Sequence, residues 1–382
     1  MIHINKIFPP GKYLLQGNEA CVIGALLAEC RFFAAYPITP ANEISIVMAK
    51  YLPLVGGTFI QAEDEICAIM SVIGASWAGV RAMTATSGPG FSLMQEGLGY
   101  AVMVETPLVV VDVMRLGPGT GQATKSGQGD VMQAIWGRHG DQAVIVMAPA
   151  SAQEMLDFTI DAFNLADEYR VPVIICTDQI VGHTYETVNV PHADEIKKVK
   201  RREPRENEPH FGGDGTKVAG FPTVGKGYRV SVTGSTHDEW GYRKTQDPEV
   251  HARLVWHLVK KIMENADKIF TYEIIGKDTP KIAIIAYGSV FRSAMEAVKR
   301  LRDEGINVGL FRPKILWPIY EKALEEFLSN AEWVVVPEMN TGMYVREIER
   351  LIDRRRIVRI NKIGGGVPIY PEEIIKKVKG LM

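Results

Sequence analysis

Arg81-Ala82-Met83-Thr84-Ala85-Thr86-Ser87-Gly88-Pro89-Gly90 reads as a short strand over 81–86 that stops at a Gly-Pro-Gly turn and opens a helix through Leu93 to Val104. Two junctions of the same kind precede it. Phe32-Phe33-Ala34-Ala35-Tyr36 runs into Pro37-Ile38-Thr39-Pro40, and Thr58-Phe59-Ile60-Gln61 runs into Ala62-Glu63-Asp64-Glu65 at the head of a helix from Glu63 to Trp77. In an open parallel sheet, strand-to-helix turns gather on one edge, where ligands bind. A hydroxyl, a carboxylate and a Gly-rich turn are therefore expected side by side.

Outward from these junctions the alternation continues. Asn18 is placed to cap a helix through Ala20–Leu27, and Thr39 to cap the next, with Pro40 in its first turn. Leu108-Val109-Val110-Val111-Asp112-Val113-Met114 is an apolar run of the kind a strand covered on both faces requires. Strands at 143–147 and 171–175 flank a helix over 152–169. This pattern predicts an α/β fold with a doubly wound parallel sheet over residues 1–190.

Residues 191–250 are polar, rich in Gly and Pro, and carry the basic run Lys197-Lys198-Val199-Lys200-Arg201-Arg202. So long a stretch without regular structure is expected to pack across something, a second subunit included. It forms, with a helix from Pro248 to Phe270, a linker and packing segment over 191–275. A second α/β unit of about one hundred residues follows over 276–382, opening with the strand at 282–287.

The 43 basic and 45 acidic residues leave a net charge of -2, which argues against nucleic acid or an anionic membrane as the main partner. No apolar window approaches a transmembrane span and no signal-peptide pattern opens the chain, so a cytoplasmic protein is expected. Cys21, Cys30, Cys67 and Cys176 show no C-x-x-C spacing, so no metal or cluster site is expected on this chain. Cys21, Cys67 and Cys176 are read as buried apolar residues.

Glu63 is either a charge favourable to a helix N-terminus or a functional acid; Asp64 and Glu65 already match the helix dipole, which leaves Glu63 free. Arg115 closes the apolar strand and can grip a carboxylate with two hydrogen bonds, or be an ordinary strand-end arginine. The turn at Ser87 and Gly88 lacks the lysine and spacing of a P-loop. Lys125, in Gly119-Thr120-Gly121-Gln122-Ala123-Thr124-Lys125, is a solvated loop lysine or a contact for a second carboxylate.

Tyr36–Pro40, Ala62–Glu65, Thr86–Gly90, Met114–Pro118, Val232–Glu239 and Leu310–Pro318 together resemble the alpha subunit of 2-oxoacid:ferredoxin oxidoreductases, most closely the 2-oxoglutarate branch. Ala41-Asn42, where some relatives have Ser-Ser, leans away from the pyruvate branch. The resemblance implies a pyrimidine-binding thiamine diphosphate domain over 1–190 and a transketolase C-terminal-like domain over 276–382. It puts Glu63 on the buried glutamate that hydrogen-bonds the cofactor's aminopyrimidine. Thr39 and Arg115 fall on contacts to the substrate's C1 carboxylate, and Pro37, Ile38, Ser87 and Gly88 lie along the cofactor.

It implies coenzyme A-dependent oxidative decarboxylation of a 2-oxoacid, with reduction of ferredoxin. The diphosphate, its Mg2+ and the iron–sulfur clusters would belong to partner chains: a beta subunit, a gamma subunit and a ferredoxin-like delta subunit. Pyruvate or branched-chain 2-oxoacids remain alternative substrates. A different thiamine enzyme and a non-catalytic scaffold are the competing readings.

Overall fold

The computed structural model describes residues 2–213 and 217–382. Its first nine strands are β1 (Gly11–Gln16), β2 (Cys30–Ala35), β3 (Thr58–Gln61), β4 (Arg81–Thr86), β5 (Leu108–Leu116), β6 (Gln122–Ser126), β7 (Ile145–Met147), β8 (Pro172–Asp178) and β9 (Tyr185–Val190). The remaining six are β10 (Tyr272–Gly276), β11 (Ile282–Ile285), β12 (Val308–Pro313), β13 (Ile315–Trp317), β14 (Trp333–Glu338) and β15 (Ile357–Asn361).

The larger sheet runs β13-β7-β8-β5-β4-β2-β3, parallel except for β13, with β6 folded back antiparallel on β5. Every residue of β5 is buried, as its place between β4 and β8 under two helical layers requires. From β2 the chain goes out to β3 and returns past β2 to β4. That reversal opens a crevice beyond the carboxyl ends of β2 and β4. The smaller sheet runs β10-β12-β11-β14-β15, parallel except for β10. β13 leaves this unit to pair with β7 of the larger sheet, and Gln128 exchanges backbone and side-chain bonds with Met339, so the two sheets are tied together.

Several local expectations are corrected. Asn18 caps nothing: its buried amide donates to the Pro40 carbonyl at 2.9 Å and to Glu43 at 3.0 Å, while the Gln16 amide bonds Glu19 at the start of that helix. Thr39 is not a cap either, since the helix begins at Asn42 and Pro40 precedes it. The helix expected from Glu63 begins at Glu65, capped by Asp64, whose carboxylate accepts from the Cys67 amide at 2.6 Å. Cys67 is exposed.

The 191–250 segment, whose residues 214–216 lie outside the described residues, packs on this chain's own first sheet layer. Phe211 and Phe221 lie against Trp77. Arg201 of the basic run bonds Asp167 at 2.5 Å and the Ser76 carbonyl at 2.8 Å. A buried charge cluster anchors the helix Pro248–Met263 beside it, where Lys261 and His257 both reach Glu105, at 2.9 and 3.0 Å.

Candidate active site

β2, β3, β4 and β5 are parallel neighbours, so their carboxyl ends lie along one edge. That alignment brings together Tyr36–Pro40, Ala62–Glu65, Ser87–Gly90 and Arg115. Arg115 lies inside β5 rather than after it, only 6% exposed. One guanidinium nitrogen donates to the Thr39 carbonyl at 2.8 Å, and the Arg115 Nε has no partner. Thr39 is half-buried, and its hydroxyl accepts from Asn42 at 3.3 Å. Ile38 is half-buried beside it, and Pro37 is exposed.

The Gly-Pro-Gly turn serves close approach. Gly88 has φ +41°, a left-handed value that costs a glycine little. A Cβ at Gly90 would stand 2.2 Å from Glu65 Oε1 and 2.3 Å from Thr86 Oγ1. Only glycine lets the turn settle against that carboxyl. Thr86 and Ser87 are buried, and their hydroxyl oxygens find no hydrogen-bond partner.

Buried and exposed carboxyls are therefore placed differently from expectation. Glu63 is exposed, on the solvent side of the turn. Glu65, two residues on, is 4% exposed and faces Thr86 and Gly90. Burial pushes its carboxyl above the usual range, and the neighbouring Asp64 adds to this; its own backbone N–H and Arg115 pull the other way. In the sequence Glu65 reads only as a charge matched to the helix dipole. The signal that could have singled it out is its place in the first helical turn, after the Asp64 cap, where a side chain points back over the strand ends.

Lys125 is exposed on β6, next to Ser126, the residue paired with Arg115, and its backbone lies against the loop at Gly366. A cavity of about 470 Å3 runs from Gly88, Ser92 and Arg115 past Asp130 to Asn340 and Thr341 of the smaller-sheet unit. The residues of this unit lining it were not foreseen, because nothing local in the sequence brings Asn340 to Arg115.

The chain matches the model for pyruvate flavodoxin/ferredoxin oxidoreductase, thiamine diphosphate-binding, over residues 23–256, and that for pyruvate:ferredoxin oxidoreductase core domain II over 280–374. It is 48% identical to 2-oxoglutarate synthase subunit KorA of Methanothermobacter marburgensis, across 97% of this chain and 99% of that one. The subunit of the same name from Methanocaldococcus jannaschii is 49% identical over 96% of this chain and 99% of its own. A solved 2-oxoglutarate:ferredoxin oxidoreductase from Magnetococcus marinus, with 2-oxoglutarate, coenzyme A and succinyl-CoA bound, superposes with a TM-score of 0.90 at 34% identity. That match covers 97% of this chain, which spans 65% of the length of the solved one. With this edge, this sheet order and likeness along nearly its whole length, the chain belongs to the thiamine diphosphate-binding family of pyruvate flavodoxin/ferredoxin oxidoreductases.

Proposed function

We propose that this chain is the alpha-type subunit of an enzyme that oxidises 2-oxoglutarate, transfers the acyl group to coenzyme A, releases carbon dioxide and passes electrons singly to ferredoxin. The observation that carries the reading is Arg115: a covered guanidinium, held by the Thr39 carbonyl, with Nε unpartnered on the edge that Glu65 shares. A buried arginine with a free donor suits the carboxylate of a 2-oxoacid. The names of the relatives and of the solved neighbour favour 2-oxoglutarate over pyruvate or branched-chain substrates.

The edge also fits one end of thiamine diphosphate. The unpartnered Thr86 and Ser87 hydroxyls and the cradle at Gly90 supply polar contacts and room. When bound, the cofactor supplies the nucleophilic carbon and the electron sink that decarboxylation needs. We assign Glu65, in place of Glu63, as the carboxyl toward the aminopyrimidine. Its covered, upward-shifted carboxyl holds a proton to higher pH than an exposed one and can share it with a weakly basic ring nitrogen. Thr39 and Arg115 orient the substrate carboxylate; Ile38, Ser87 and Gly88 border the cofactor, with Pro37 at its outer end.

The diphosphate, Mg2+ and iron–sulfur clusters are assigned to beta-, gamma- and delta-type partners. Exposed apolar residues flanking the edge support a covering partner: Ile66 and Met70 one turn apart on the helix after β3, Ile60 on β3 and Tyr36 after β2. The test is anaerobic purification of the tagged chain with its partners, assayed with coenzyme A, a viologen acceptor and several 2-oxoacids. Viologen reduction fastest with 2-oxoglutarate is the expected result. Fastest reduction with another 2-oxoacid overturns the substrate assignment, and an intact complex that reduces nothing returns the chain to a scaffold.

A further inference from the structure

Behind Arg115 lies a pair of carboxyls that the reading above does not use. Asp112 is fully buried in β5, and Asp130 ends the loop that returns from β6 to the helix Val131–Trp136. The two carboxyls are within hydrogen-bonding reach of each other and lie near the Gly88 amide, and among the described residues no side chain donates to either oxygen of Asp112 or to Oδ2 of Asp130. Two touching carboxylates repel, and a single shared proton satisfies both. Asp130, Arg115 and Gly88 line the same cavity of about 470 Å3.

We propose that Asp112 and Asp130 share one proton at neutral pH, and that this proton sets the charge behind Arg115 and thereby its hold on the substrate's C1 carboxylate. The inference rests on the placing of substrate at Arg115, and Asp112 and Asp130 are positioning residues. Burial drives both carboxyls upward, Asp112 well above the usual range and Asp130 to about 6. The groups facing the pair are few. Arg115 and the Gly88 amide favour ionisation. From β8 the Cys176 thiol, itself pushed up by burial and by both aspartates, offers no charge, and Arg138 stands beyond it. Arg115 also draws on Glu65, whose carboxyl it favours in the ionised form.

With one proton shared, the pair carries one negative charge against the one positive charge of Arg115. Loss of that proton places a second negative charge behind the guanidinium and weakens its attraction for an anion. Gain of a second proton leaves Arg115 uncompensated and strengthens it. The C1 carboxylate of a 2-oxoacid stays ionised throughout, so the dependence belongs to the protein.

The experiment is the pH dependence of KM and kcat for 2-oxoglutarate in the assembled complex, wild type beside the amide pair Asp112→Asn/Asp130→Asn. The wild-type KM should rise about tenfold as pH increases through the titration of the pair, with kcat moving much less. The amide pair should show a flat KM. An infrared band of a protonated carboxyl at neutral pH, present in wild type and absent in Asp112→Asn, gives an independent readout. A flat wild-type KM overturns the proposal, as does a step that persists in the amide pair or the lack of that band. Arg115→Lys separates the two levels. If it raises KM while the wild-type profile is flat, substrate binding at Arg115 stands and the shared proton falls. If it leaves KM unchanged, the substrate reading falls, and this inference with it.

Discussion

The carboxyl ends of the two sheets occupy equivalent places in their units and satisfy their polar atoms to different degrees. On the smaller sheet, Glu338 at the end of β14 has both oxygens filled. One accepts from the Tyr287 hydroxyl at 2.9 Å, the Asn340 amide at 3.1 Å and the Tyr344 amide at 2.8 Å; the other accepts from Val345 at 3.1 Å. On the larger sheet, Thr84, Thr86, Ser87, Asp112 and Arg115 all keep buried polar atoms without partners. A buried polar group left unsatisfied costs roughly 1–3 kcal/mol, so a cluster of them marks an edge shaped for groups from outside the chain. On the smaller sheet the Ser289 hydroxyl and Arg312 Nε also lack partners, but the carboxylate at its centre, Glu338, is filled, whereas Asp112 on the larger sheet is not.

The sharpest way to break this contrast is to compare the neighbouring carboxyls Glu65 and Glu63. Glu65→Gln should lower kcat of the assembled complex by about 10²–10⁴-fold, the range typical of lost acid–base assistance. Glu63→Gln should change it only severalfold. Steady-state kinetics of the two variants side by side check this, and the reverse order would restore Glu63. On the smaller sheet, Glu338→Gln turns one acceptor into a donor facing a backbone N–H group, that of Tyr344 or of Val345. It should cost about 2–3 kcal/mol, read as a lowered denaturation midpoint.

Arg115→Ala should raise KM for 2-oxoglutarate by about ten- to a hundredfold, as expected for a lost hydrogen bond to a charged group. A saturation curve over a widened substrate range measures it. The smallest effect is expected at Lys125, the exposed lysine that the sequence offered for the distal carboxylate. Lys125→Ala should alter KM by less than about twofold, and a larger rise would bring that loop back into the site.

Much of the scaffold was legible in local patterns. The strands at 58–61 and 81–86 and the helix at 152–169 match the residues expected, because apolar periodicity and flanking Gly, Pro and Ser mark them. Elements whose partners are distant in sequence were missed. β1 pairs with β9 across more than one hundred and fifty residues, and β13 is a three-residue strand that exists only because β7 lies beside it. The packing of 191–250 on Trp77 and Asp167 is equally non-local.

The site divides along the same line. Order along the chain was enough to place Thr39, Ser87, Gly88 and Arg115 on one sheet edge, since parallel strands align their ends whatever the side chains do. Which of two glutamates turns inward depends on the position of the helix start. A shift of two residues there rotates a side chain by about 200°, from solvent to the strand ends. Only the folded chain could decide it, because burial belongs to what surrounds a residue: the Gly90 backbone against Glu65, and Asp130 brought onto Asp112 by a returning loop.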